Sequence, residues 1–275
     1  DHPPEGMDDT SIRPNRAIHL KGPYSIPLRT LYSKDFDNLW MAGRNISVSH
    51  AALSSTRVMA TCATLGQAVG TAMSYSLSGK KSGREIVNSA KDMEALQQLL
   101  LRQDQAILNV VNQDKKDLAR QASVTASGEE AGHKAESVTD GINRDIRDGK
   151  SHQWRAAVGE RNVPWITLKW KAPVKISQVE FTFDTGLNRF LRISGAKSVM
   201  DDQVRGVQPE TVSDFKIEGL SGDKVVYSDF VANNYYRKYV HRFGKVEIDS
   251  LRVTVTRTHG DKYARIFEIR CYDNE

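Results

Sequence analysis

Thr56 to Tyr75 carries Ala60, Ala63, Gly66, Ala68, Gly70 and Ala72 inside one predicted helix. A glycine in a helix interior costs about 1 kcal/mol against alanine, so two of them need a compensating reason. Close approach of the helix backbone to a sheet or a flat ligand is one; tight helix packing without a ligand is the other. Elsewhere the reactive residue types fall into no catalytic order. Neither a GxSxG nucleophile turn nor an HExxH zinc helix occurs in the 275 residues. No carboxylate pair can be nominated for glycoside hydrolysis. Cys62 and Cys271 are too few and too distant for a disulfide framework or a Cys-rich metal site. Cys62, among small apolar residues, reads as a small buried hydrophobe. Arg237, Lys238, His241, Arg242 and Lys245 form a basic cluster, a solvated strand edge or an anion site.

The elements that must position these residues change character along the chain. Residues 1–80 begin polar and Pro-rich; Pro23 and Pro27 predict an extended edge or loop over Tyr24 to Arg29. Leu39 to Ala42, stopped by Gly43, reads as a short buried strand, and the glycine-bearing helix follows. Residues 81–120 read as a helical linker, with Leu96, Leu99, Leu100 and Ile107 forming one apolar stripe. From 121 to 275 the pattern is β: Val179, Phe181 and Phe183 alternate with Glu180 and Thr182, and Leu251, Val253 and Val255 with Arg252, Thr254 and Thr256. The expected fold is α+β and multi-domain, ending in an antiparallel sandwich, with a boundary near residue 120. The net charge of +5 is spread evenly, which is not the clustered footprint of a nucleic-acid binder. No apolar run approaches the roughly 20 residues of a membrane span.

The stretch YSIPLRTLYSKDFDNLWMAGRNISVSHAALSSTRVMATCATLGQAVGTAMSY closely resembles the last part of bacterial FAD-dependent oxidoreductases of the FAD_oxidored type. The resemblance covers about 55 residues and implies a strand, a turn past the flavin and a helix whose start points at the isoalloxazine. It implies FAD as cofactor and places Ala42, Gly43, Arg44, Arg57, Thr61, Gly66 and Gln67 on the flavin side. His50 and Arg29 would be substrate-side groups, against a loop histidine and a structural ion pair. The family's dinucleotide site needs a GxGxxG turn, and this sequence contains none. The expectation is therefore the C-terminal portion of a longer enzyme, inactive alone and dependent on a missing N-terminal FAD-binding half.

Residues 121–275 resemble a discoidin-type galactose-binding sandwich, or carbohydrate-binding jelly roll. The resemblance rests on ESVTDGINRD, HQWRA, PWITLKW, VKISQVEFTFD, NNYYRKYVHRF, LRVTVTRTHG and RIFEIRCY. It implies a carbohydrate partner at Trp154, Arg155, Asn188, Arg189, Asn234, Tyr235, Tyr236, Arg237 and His241. Trp154 is alternatively a core plug. It also implies a structural calcium held by Asp140 and Glu268; the competing reading is an Asx turn before Gly141 and an ion pair for Glu268. Two further functions are carried as alternatives: a non-catalytic carbohydrate- or partner-binding module, and a xanthan-type polysaccharide lyase. The compartment is not legible in the first residues; a periplasmic or extracellular address is the one favoured.

Overall fold

The computed structural model describes residues 22–146, 148–159, 163–189 and 195–273. The polar start of the first segment lies outside them. The chain divides into two compact units between Val110 and Val111.

The first unit is helical. Ser49 caps α1 (His50–Thr56) by accepting a bond from the Ala52 N–H. The predicted single helix is interrupted at Arg57 and Val58; Val58 is extended, and α2 (Met59–Gly79) starts after it. Ser82 and Glu85 form a reciprocal capping box that starts α3 (Gly83–Asn88). Ser89 then caps α4 (Ala90–Arg102). Leu31, Ile46, Leu65, Val69, Ala72, Ile86, Leu96 and Leu100 share one core. Leu96 and Leu100 thus face inward as the stripe predicts, whereas Leu99 is exposed. The strand expected over Leu39 to Ala42 is reduced to a bridge between Tyr32 and Trp40. A strand is stabilised by its neighbours, and Tyr32 is the one pairing partner among the described residues. The α3–α4 part of the expected linker belongs to this core. Ala119, within the same expected span, is buried in the core of the second unit.

The second unit is an antiparallel β structure. Its strands are β1 (Ser123–Ala126), β2 (Trp154–Ala157), β3 (Trp165–Phe183), β4 (Val212–Ser221), β5 (Lys224–Val231), β6 (Lys238–Thr258) and β7 (Tyr263–Tyr272). The order is β2-β7-β3-β6-β4-β5, with β1 on β3. β3 and β6 are long and change partners midway. The first half of β3 pairs with β1 and its second half with β7. The first half of β6 pairs with β3 alone, while its second half also pairs with β4. Register shifts in β3 between Lys169 and Val174, and between Ile176 and Gln178, accompany the change. The sheet thereby folds over one core containing Trp154, Ile166, Phe181, Phe183, Phe215, Val253 and Ile269. Phe181, Phe183 and Phe215 pack ring on ring at 5.2 to 5.6 Å. Glu180 and Thr182, expected on the outer side, are buried as well.

Candidate functional site

In the first unit the site is built from a turn and a helix start. Tyr32 and Trp40 meet edge to face at 5.6 Å and hold the approach to the turn. Ala42 is extended; Gly43 opens a short 3-10 turn, Gly43–Asn45, at φ +89°, where a side chain would be strained. A Cβ built on Gly43 would lie 4.0 Å from Cys62 Cβ, so the turn passes beside the first turn of α2. Val58 gives α2 no side-chain cap, and its first helical bond runs from the Cys62 N–H to the Val58 carbonyl at 2.9 Å. The N–H groups of Met59, Ala60 and Thr61 precede that bond and have no intrahelical acceptor. Ala42, Gly43, Arg44, Arg57 and Thr61 therefore belong to one neighbourhood. Arg44 and Arg29 are exposed, and His50 is the first residue of α1.

Two of the expected flavin-side residues behave differently. Gln67 donates from Nε2 to the Gln103 carbonyl at 2.9 Å, while Thr71 donates to the Gln103 side chain at 2.7 Å. Gln67 is thus a clamp between α2 and the end of α4. Gly66 and Gly70 touch no sheet: a Cβ at either would meet nothing within 4 Å. They lie on an exposed face with Met59, Ala63, Met73 and Leu77. Met59 is 65% and Leu77 77% exposed, and α2 has no charged residue in its 21 positions.

In the second unit one end gathers loops from distant parts of the chain. Arg237 donates to the carbonyls of Phe183 and Asn143, at 2.9 and 2.5 Å. Arg189 makes a two-pronged pair with Glu210 and a bond to Gln208 at 2.6 Å. Arg265 pairs with Asp184 at 3.3 Å and Asp261 at 2.5 Å. Asn188 donates to Asp145 at 3.3 Å. Asn234 is buried: its amide donates to the Val212 and Tyr236 carbonyls and accepts from the Tyr236 N–H. His259 adds a bond to the Asn234 carbonyl. This clamp presents Tyr235 and Tyr236 to solvent, 58% and 53% exposed, with ring centroids 4.3 Å apart.

The expected sugar residues sort accordingly. Asn188, Arg189, Asn234, Tyr235, Tyr236 and Arg237 belong to the connected loops, and Arg155 lies on β2; Trp154 and His241 do not serve as surface groups. Trp154 is fully buried and donates from Nε1 to the Gly128 carbonyl at 3.0 Å, a core plug. His241 is buried between Tyr227, 2.6 Å away, and Asp229 at 3.3 Å, and burial lowers its pKa. The basic cluster is largely neutralised: Lys238 pairs with Glu180, and Lys245 with Asp273. Tyr263 escaped the sequence reading. Arg155 stacks over its ring at 3.9 Å and Lys262 lies 5.1 Å from its centroid. Only their adjacency to the last strand could have pointed to it.

Asp140 and Glu268, the expected calcium ligands, each have a protein partner. The His152 ring bridges Asp140 at 2.7 Å and Asp148 at 3.0 Å. Burial opposes a charge on this imidazole, yet the two aspartates raise its pKa. The Ile142 N–H also donates to Asp140, forming the Asx turn before Gly141, where φ is +86°. Glu268 is buried against Arg270 at 2.8 Å. Among the described residues no three His, Cys, Asp or Glu side chains are grouped to hold a metal ion. Cys62 and Cys271 are both free thiols. No helix among the described residues is long and apolar enough to cross a membrane.

Residues 1–100 match the family described as FAD dependent oxidoreductase, and residues 117–205 match a domain of unknown function, DUF7402. No curated protein matches the chain. Similar solved structures include the family 32 carbohydrate-binding module of Clostridium perfringens NanJ in complex with galactose, at 15% identity and a TM-score of 0.39, covering 56% of this chain and 96% of that one. A Streptococcus pneumoniae fucose binding module is 10% identical, with a TM-score of 0.43 and coverage of 58% and 98%. A chitosan-binding module from Paenibacillus sp. IK-5 is 18% identical, with a TM-score of 0.40 and coverage of 57% and 98%. The chain thus joins a segment that matches the FAD dependent oxidoreductase family model, residues 1–100, to an antiparallel, sheet-rich unit.

Proposed function

We propose that this chain acts as the C-terminal portion of an FAD-dependent oxidoreductase, completed by a dinucleotide-binding half that its own sequence does not supply. The observation that carries this is the uncovered face of α2. A helix of 21 residues without one charge is the composition of a helix enclosed on several sides. Here Met59, Ala63, Gly66, Gly70, Met73 and Leu77 lie open. The flavin-ring end of the site fits the residues present. Gly43 admits a close planar neighbour, the free N–H groups of Met59, Ala60 and Thr61 favour negative charge, and Arg44 and Arg57 add positive charge beside them. The pyrophosphate end does not fit, since no GxGxxG turn exists in the sequence. FAD, when bound, supplies the redox chemistry; this chain's residues position its ring and favour charge on it. Mixing the purified chain with the upstream half should yield flavin absorbance and oxidase or dehydrogenase turnover that neither part shows alone. Stoichiometric yellow flavin on this chain by itself would sink the claim of incompleteness.

A second reading concerns the β unit: a sugar-binding module appended to that enzyme. It is favoured by Tyr235 and Tyr236, exposed aromatics on a loop already fixed by Asn234. Apolar sugar faces stack on such rings, and a preformed loop lowers the ordering cost of binding. A glycan array probed with the full chain, and with Tyr235→Ala and Tyr236→Ala, tests it; no bound glycan, or binding indifferent to both changes, removes it.

A further inference from the structure

We infer that Arg155, Lys262 and Tyr263 form a subsite for a carboxylate-bearing sugar, an inference that rests on the sugar-binding reading of the β unit. Arg155 on β2 stands directly opposite Arg265 on β7 in the strand register. Two like charges facing each other across strands are destabilising unless something offsets them. For Arg265 the offset is visible: Asp184 and Asp261 both pair with it. The nearby Asp145 carboxylate is itself engaged by donors, the Ser151 hydroxyl, the His152 N–H, and the Gln153 and Asn188 amides. No acidic side chain among the described residues pairs with Arg155 or with Lys262.

Arg155 is nonetheless held in place. Its guanidinium carbon lies 3.9 Å from the centre of the Tyr263 ring, and its Nε is enclosed without an acceptor. Lys262 approaches the same ring at 5.1 Å. Stacking fixes the plane of the guanidinium while its terminal nitrogens, which are not enclosed as Nε is, can meet a planar carboxylate. Arg155 also acts on His133, whose pKa is lowered by burial first and then by Arg155, against the opposing Asp145 carboxylate. An uncompensated, oriented arginine beside a lysine, at the loop end of a sandwich, selects an anion over a neutral hydroxyl face.

The test compares trigalacturonate with its fully methyl-esterified form, titrated calorimetrically into the full chain. The free acid should bind, weaken as salt rises, and lose about tenfold or more in affinity with Arg155→Gln, Arg155→Lys or Lys262→Ala. Unchanged melting temperatures would show that these variants fold. Equal binding of the ester overturns the charge requirement and leaves the sugar-binding reading intact. Binding of the acid that is indifferent to all three variants overturns the subsite. No binding of the free acid overturns the subsite, and together with a blank neutral-glycan array it overturns the sugar-binding reading as well.

Discussion

Gly83 has no room for one more carbon. A Cβ there would lie 2.7 Å from Tyr32 Cγ and 3.0 Å from Trp40 Cη2. Gly83→Ala should destabilise the first unit by about 1 to 3 kcal/mol, measured by denaturant unfolding. Gly66 is the opposite case. With open space around it, Gly66→Ala should stabilise the isolated chain by up to about 1 kcal/mol. A loss there would mean that the α2 face is covered in solution. Asp117 gives a pH dependence. Its carboxylate accepts from the Cys271 and Ala119 N–H groups and from Asn112, but burial pushes its pKa up to about 6. The folded state therefore binds a proton more readily than the unfolded chain. The contribution to stability is full below about pH 4 and is lost as pH rises through about 6. His152, also raised, adds a loss in the same direction at higher pH. As pH rises from about 4 to 7, Asp117→Asn should lose less melting temperature than the unmodified chain; the difference isolates Asp117 from His133 and His241, whose lowered pKa values act in the opposite direction. Parallel profiles for the variant and the unmodified chain would contradict the assignment.

For the elements, the exposed face of α2 makes a separable prediction. Met73→Glu or Leu77→Glu should leave helix content and melting temperature near their starting values, since both side chains are exposed. The same changes should abolish flavin reconstitution with the upstream half. The sandwich strands were legible because alternation reports one buried face: Val179, Phe181 and Phe183 are all enclosed. The opposite face was not legible. Glu180, Glu268 and Arg270 are buried there through tertiary contacts, with Asp117 reaching the Cys271 N–H at the end of β7, far away in the chain. The break between α1 and α2 was missed for another reason: Arg57 and Val58 carry no Gly or Pro to announce it. Of the sugar-side candidates, Trp154 was ambiguous in the sequence because its acceptor, the Gly128 carbonyl, comes from a loop that only the fold brings near.

At the scale of the molecule, the division between Val110 and Val111 precedes the expected boundary. Asn112 bonds the Gly141 carbonyl, and Asp117 bonds β7, so the β unit already begins there. Residues 104–110 lack helix or strand and contain the positive-φ Asp104 and Asn109. Limited proteolysis should cut within 104–110 and release a resistant β-rich fragment that starts close to Val111. Cleavage confined to 123–126 would contradict the strand placed there. The two long strands that change partners midway have a bearing on protein engineering. Because β3 and β6 each hold different partners along their two halves, no group of paired strands can be excised, swapped or permuted as a block. Any viable redesign must place its breakpoints in the connecting loops and carry both strands through whole.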